Sequence, residues 1–248
     1  TVNAFLREPI RRLGGYYLVS VAVNGKPEEL LPGFEGAVTV LPVPIERKMS
    51  PLRDLSALFQ MISLFRRHDF QIVHSVTPKA GLLAMMAAYF AGVEIRIHTF
   101  TGQVWATRSG LSRWLLKNLD RLIGLMATHL LVDSASQRRF LLDEGVISAE
   151  KSSVLAKGSI SGVDIIRFKS NPVARSRIRG ELQIKDGDTV FLFLGRLNRD
   201  KGLLDLASAF AEAAKGGARI RLLVVGPDEE NLLPEIVRLA GDGVSGVH

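Results

Sequence analysis

Arg196 and Lys201 lie five residues apart in the stretch TVFLFLGRLNRDKGLL, Thr189 to Leu204. A guanidinium and an ammonium group held close together suit an anion, most simply a phosphate or a diphosphate. The apolar run Val190 to Leu194 before them has strand length and no polar alternation, which fits a strand buried on both faces of a parallel sheet. Gly195 ends that run and lets backbone pass close to a ligand. Lys201-Gly202 opens a helical pattern, with Leu203, Leu204, Leu206, Ala207 and Phe210 on one face. In open α/β sheets ligands sit at the carboxyl ends of strands, against helix amino termini. The alternative is that both cations are solvated surface charges.

Four further stretches carry residue types with chemical use. His98 follows an apolar strand in HTFTGQVW, where a neutral imidazole can orient a hydroxyl. Thr99 and Thr101 add hydroxyls there, and Gly102 permits close approach; the competing reading is a buried histidine bonded to backbone. Lys79, in TPKAG between a strand and a helix, suits an anion at a helix amino terminus, or is an ordinary loop lysine. Gly158 and Gly162 bracket Ser159 and Ser161 in KGSISGVD, a flexible turn. Gly226 begins GPDEEN after the run Ile220 to Val225 and is placed to border a nucleotide, with Asp228 and Glu229 capping the next helix. Asp186-Gly187-Asp188 mimics the D-x-D pattern of metal-dependent transferases, but it precedes a strand and reads as a turn.

The elements that must position these residues alternate between strand and helix. A helix over Thr1 to Leu13 and a strand over Tyr17 to Val23 come first, then a turn-rich segment, NGKPEELLPGFEG, and a short strand, Val38 to Leu41. Ser50-Pro51 caps a helix carrying Leu52, Leu55, Leu58, Phe59, Ile62 and Phe65. Strands at Ile72–Val76, Val93–His98, His129–Asp133 and Ser153–Ala156 alternate with helices at Lys79–Ala91, Leu111–Ala127 and Ala135–Asp143. This predicts an α/β fold with right-handed parallel crossovers. A polar stretch, FKSNPVARSRIR, marks a boundary between residues 1–170 and 171–248. The second part then runs strand, helix, strand, helix, with the last helix over Glu229 to Leu239. That is about half of a doubly wound domain. The chain also starts on a helix, without the strand that normally begins such a sheet. Residues are therefore expected to be missing at both ends.

The 248 residues are 47% hydrophobic and 23% charged, an ordinary globular composition. Cysteine is absent, which removes disulfides and thiol chemistry. The net charge of +7 suits nucleic acid, an anionic membrane or a phosphorylated substrate. The basic residues are scattered and form no nucleic-acid motif, so no nucleic-acid partner is expected. The apolar stretch Gly81 to Gly92 is too short to span a bilayer. A cytoplasmic protein is expected, peripheral on the inner face of the membrane. Arg113, Trp114, Lys117 and Arg121 on one helix could lie on anionic lipid, but packing on the sheet explains that helix equally.

FLGRLNRDKGLLDLASAF resembles the opening of the donor domain in retaining glycosyltransferases of family four, which have two Rossmann-like domains (the GT-B fold). VHSVTPKAGLL, RIHTFTGQVW and GSISGVDIIRF are similar to the subgroup that builds bacterial surface polysaccharides on a lipid carrier. The resemblance covers nearly the whole chain. It implies that Arg196 and Lys201 hold the diphosphate of a nucleotide-sugar, that His98 lies near the transferred sugar, and that Gly158 and Ser159 line the donor cleft at the domain junction. Gly195 and Gly226 would border the donor, and Lys79, Thr101 and Gly102 the acceptor. The implied reaction transfers a sugar with retention of configuration, without a metal or other cofactor. The donor is a UDP-sugar in preference to a GDP-sugar, and the acceptor is linked to a polyprenyl diphosphate. An epimerase or hydrolase of nucleotide-sugars, or a non-catalytic binding fragment, are the alternatives.

Overall fold

The computed structural model describes residues 2–25, 38–46, 50–217, 219–241 and 244–247. Most of the turn-rich segment after residue 25 therefore lies outside the described residues. The chain divides into two compact units, Thr1–Asp164 and Ile165–His248.

The first unit opens with a π-helical turn, Val2–Leu6, and α1, Arg7–Leu13. β1 (Ser20–Val23) and β2 (Thr39–Pro42) pair in parallel. A second parallel sheet has the order β3-β4-β5-β6, from Ile72–Val76, Ile95–Phe100, His129–Val132 and Ser152–Ser153. Its helices are α2 (Pro51–His68), α3 (Pro78–Ala91), α4 (Gly110–Met126) and α5 (Ala135–Asp143). Ser50 and Pro51 start α2 as expected, but the Ser50 side chain makes no cap bond. Instead Asp54 reaches back and accepts from the Ser50 N–H at 3.1 Å. α3 is apolar over most of its surface and largely buried, with Leu83, Met85, Ala87 and Ala88 in the core and Tyr89 and Phe90 half exposed near its end. It stops at Gly92, whose φ of 79° only glycine adopts cheaply.

In the second unit, α6 (Pro172–Glu181), β7 (Thr189–Leu194), α7 (Leu203–Ala214), β8 (Ile220–Val225), α8 (Leu233–Ala240) and β9 (Val244–Val247) follow one another. The sheet is parallel, in the order β7-β8-β9. Leu197, Leu203, Ala207, Phe210, Leu222, Val224, Leu232 and Ile236 form its core. Each buried Leu, Val, Ile or Phe among them contributes about 2 kcal/mol of burial.

Three sequence expectations need correction. The polar stretch read as marking the boundary carries α6, capped by Asn171, whose side chain accepts from the Ala174 N–H at 2.9 Å. α6 buries no residue, so no apolar periodicity could announce it. β7 is not buried on both faces: Phe191, Leu192 and Leu194 are 47%, 61% and 75% exposed. It is an edge strand, hydrogen-bonded to β8 alone among the described residues. The third correction concerns β4, which runs to Phe100, so His98 stands inside the strand and not after it.

Candidate functional site

The carboxyl ends of β7 and β8 continue side by side beyond the strands. Gly195 N–H donates to Val225 O at 3.0 Å, Leu197 N–H to Pro227 O at 2.9 Å, and Glu229 N–H to Leu197 O at 3.2 Å. The approach is possible because residue 226 is glycine at φ 143°; a Cβ there would stand 2.7 Å from the Gly195 carbonyl carbon. This zipped pair of loops carries Arg196 to Glu229. Arg196 Nη1 donates to both carboxylate oxygens of Glu229, at 3.2 and 3.0 Å. Glu229 was expected to cap a helix; only Asp228 does so, accepting from Leu232 and Leu233 N–H at 2.8 and 3.0 Å. The backbone donors from Leu233 and then Leu232 hold the Asp228 carboxyl below its ordinary value.

Asn198 completes this end of the sheet. It is buried, its Nδ2 donates to Glu229 Oε2 at 3.4 Å, and its Oδ1 has no hydrogen-bond partner among the described residues. Lys201 closes a 3₁₀ turn, Arg199–Lys201, and is exposed, with no partner for its ammonium among the described residues. Gly202 at φ 70° then turns the chain into α7, so the helix starts one residue later than Lys201-Gly202 suggests. The result is one half-exposed guanidinium and one exposed ammonium at the carboxyl edge of a parallel sheet.

In the first unit the carboxyl ends of β3, β4 and β5 form a second rim. Thr77, after β3, has φ 84° and ψ 142°. For a β-branched residue this conformation costs about 1–3 kcal/mol, and such strain concentrates at functional sites. Lys79, in the first turn of α3, is ion-paired with Asp54 at 2.6 Å, a partner that local sequence could not show. Thr101 and Gly102 lie just past β4 and are exposed. His98, two residues deeper, is 1% exposed. Its Nδ1 shares a 2.8 Å hydrogen bond with Ser75 Oγ, and its ring meets Phe100 edge-on at 4.6 Å. A Cβ at Gly81 would stand 2.8 Å from His98 Nδ1, so α3 approaches the imidazole through a bare backbone. Burial, and after it His74, pushes the His98 pKa down to about 3, so the ring is neutral. His74 Nε2 is in turn 2.8 Å from Thr99 Oγ1.

Gly158 and Ser159 fold onto the end of β5. Ser159 N–H donates to Asp133 O at 2.7 Å, and the two residues have φ of 99° and 71°. Asp133, whose pKa burial raises, was not singled out from sequence; its place directly after a strand was the available signal.

Trp105 anchors the loop between β4 and α4. It is buried, stacks on Phe140 at 5.4 Å, and donates from Nε1 to Asp120 Oδ2 at 2.7 Å. Burial pushes the Asp120 carboxyl up to about 6, against the Trp105 hydrogen bond, which favours the charged form. Arg113 and Lys117 lie over the Trp105 ring and pair with Glu144 at 2.7 and 2.5 Å. Arg121 donates to the backbone oxygens of Gly145 and Glu144. The cations of α4 are thus engaged in packing, while Leu111, Trp114 and Leu115 are exposed. Asp186-Gly187-Asp188 forms the turn before β7, with Gly187 at φ 85° and Asp188 facing Arg219 and Arg221. Among the described residues no helix is long and apolar enough to cross a membrane.

These features can be set beside known proteins. The chain is 29% identical over 195 residues to the capsular polysaccharide biosynthesis glycosyltransferase CapM of Staphylococcus aureus, covering 78% of this chain and 50% of the relative. It is 28% identical over 204 residues to the UDP-Gal:alpha-D-GlcNAc-diphosphoundecaprenol alpha-1,3-galactosyltransferase of Escherichia coli, covering 79% and 47%. The chain thus spans about half the length of the curated relatives it matches. In structure it resembles Anabaena HepE, solved in complex with UDP-glucose, with a TM-score of 0.72 at 17% identity over 98% of this chain and 64% of that one. The fold is the GT-B type expected from the sequence, with two parallel α/β units. The family model described as a glycosyl transferase 4-like domain matches residues 6–158, more than half of the sequence, and the chain belongs to that family.

Proposed function

We propose that the protein transfers a sugar from a nucleotide-sugar to a lipid-linked acceptor in bacterial polysaccharide biosynthesis, with retention of configuration and without a metal. The observation that carries this is Arg196 at the carboxyl edge of the second sheet, with Lys201 on the turn that follows. The name of the Escherichia coli relative supports a UDP-sugar donor and a polyprenyl-diphosphate-linked acceptor reached at the membrane surface, the UDP-glucose bound to HepE supports the donor, and the name of the Staphylococcus aureus relative supports polysaccharide biosynthesis.

The chemical difficulty is departure of a nucleoside diphosphate as its negative charge grows. Fixed cations stabilise that charge most where water is excluded. Arg196 would grip one phosphate through two parallel N–H bonds, and Lys201 would act as a point charge. Gly195 and Gly226 keep the adjoining backbone bare enough for close approach. On the acceptor rim, Lys79, Thr101 and Gly102 offer a cation, a hydroxyl and an open backbone, while Gly158 and Ser159, on the turn that folds onto the end of β5, are assigned to the donor. His98 enters as a neutral, buried imidazole that fixes Ser75 and the first turn of α3 beneath that rim.

Arg196→Ala and Lys201→Ala should each reduce turnover on the order of a hundredfold while circular dichroism shows the fold intact. Unchanged kinetics in both would discard the diphosphate role. Product analysis with a polyprenyl-diphosphate-linked sugar and UDP-sugars, with and without chelator, tests the rest. Donor consumption that needs no acceptor would point to an epimerase or hydrolase instead, and loss of activity in chelator, restored by manganese, would overturn metal independence.

A further inference from the structure

Arg196 and Glu229 are separated by 33 residues, yet they meet because the loops after β7 and β8 run in register, Leu197 pairing with Asp228. The pairing has a telling geometry. Both carboxylate oxygens take hydrogen bonds from the same nitrogen, Nη1. Nε and Nη2 of Arg196 hold no hydrogen bond among the described residues. The Nε–Nη2 edge is one of the two sides of a guanidinium that present two parallel N–H groups to an anion, and the other, Nη1–Nη2, is the one that Glu229 partly occupies. The carboxylate therefore grips the arginine through Nη1 and leaves the Nε–Nη2 edge without a hydrogen bond among the described residues, on a side chain that is half exposed. It is itself held: Asn198 Nδ2, from a buried side chain, donates to Glu229 Oε2 at 3.4 Å, and the Glu229 backbone N–H is tied to Leu197 O at 3.2 Å.

We infer that Glu229 is a positioning residue for the donor's diphosphate: it fixes the Arg196 guanidinium in the orientation that receives the phosphate and does not itself touch the donor. This rests on reading Arg196 as a diphosphate ligand. An arginine side chain otherwise loses much rotamer freedom when it binds, and a partner that orders it beforehand removes part of that cost. A second effect opposes this one, because a carboxylate near the site repels an incoming anion. The two are separable: positioning makes removal of Glu229 weaken binding, whereas repulsion makes removal tighten it.

The test is calorimetric titration of the full chain with UDP, in wild type, Arg196→Ala, Glu229→Ala, Glu229→Gln and the double variant Arg196→Ala/Glu229→Ala, each checked by circular dichroism. The Glu229 side chain is one-third exposed, and Glu229→Gln keeps its shape and one acceptor oxygen, so the comparison survives even if the alanine variant is poorly folded. The expected result is a loss of affinity on the order of tenfold for Glu229→Ala and a smaller loss for Glu229→Gln. In the Arg196→Ala background, removing Glu229 should cost nothing further, because a positioning group has no effect without the group it positions. UDP binding as tight as wild type, or tighter, in either single Glu229 variant overturns the inference. Additive losses in the double variant overturn it too. Arg196→Ala that binds UDP like wild type would instead remove the diphosphate reading beneath it.

Discussion

A Cβ atom at position 226 would stand 2.7 Å from the carbonyl carbon of Gly195. The two glycines are the seam where the loops after β7 and β8 are pressed together, and the seam sets where Arg196 lies. The two positions nevertheless differ in what they tolerate. At Gly195 an added Cβ would meet only the Phe193 ring, at 3.4 Å. Gly226→Ala should therefore destabilise the second unit by about 3 kcal/mol, from strain and overpacking together. Gly195→Ala should cost under about 1 kcal/mol while still weakening UDP binding. Denaturant unfolding and calorimetry on the two variants check this; equal stability losses would contradict it.

His98 makes the first unit sensitive to acid. Its folded pKa of about 3 lies below its ordinary 6.5, so the unfolded chain binds the proton first. Stability should fall as the pH drops from about 6.5 towards 3, by on the order of 5 kcal/mol. Asp120 acts in the opposite sense, since its folded value of about 6 exceeds 3.8 and its contribution is lost as the pH rises. That term is about 3 kcal/mol, so the His98 slope prevails. His98→Leu should flatten the profile between pH 3 and 6.5; an unchanged slope would show that His98 does not control it.

The hydrogen bond from Trp105 to Asp120 is internal to the first unit, and its loss is expected to be felt as stability. Trp105→Phe keeps most of the buried ring but strands the carboxylate, costing about 2 kcal/mol and pushing the Asp120 pKa further up. Asp120→Asn should cost less, because the amide oxygen still accepts from Nε1. Chemical denaturation at neutral pH ranks the two variants, and the reverse ranking would contradict the assignment.

Lys79 and Asp54 join the first turns of α3 and α2, and both side chains are largely covered. A double-mutant cycle with Lys79→Ala and Asp54→Ala should give a coupling on the order of 1 kcal/mol at neutral pH. Burial opposes ionisation of Asp54, but Lys79 and the Ser50 N–H together hold its value below 3.8. The coupling should persist through mild acid and vanish only as the pH falls through that depressed value. A coupling near zero at pH 7 would mean that the pair is incidental to stability.

Much of the fold was legible because short apolar-rich segments of strand length alternate with helical ones. Ile72–Val76, Ile220–Val225 and α3 needed no partner to be recognised, although His74, Ser75 and Arg221 interrupt the two strands. α6 was illegible for the converse reason: it buries nothing, so only Asn171-Pro172 announced it. Within the candidate sites, Arg196, Lys201, Gly195 and Gly226 were readable from local pattern and the resemblance it carried. Glu229, Asn198 and Asp54 acquire their meaning only from partners 25 to 33 residues away, and short-range spacing does not encode such pairings. His98 was placed too near the surface because the extent of β4 is decided by pairing with β3 and β5, not by its own residues.

The bare backbone at Gly81 has a consequence for anyone who diversifies this protein. Positions 81 and 98 behave as one variable: any larger residue at 81 evicts the imidazole, and any smaller one at 98 opens a hollow under α3. Libraries that randomise position 81 alone should return mostly the parent, whereas paired codons at both sites are the route to altered packing between α3 and β4.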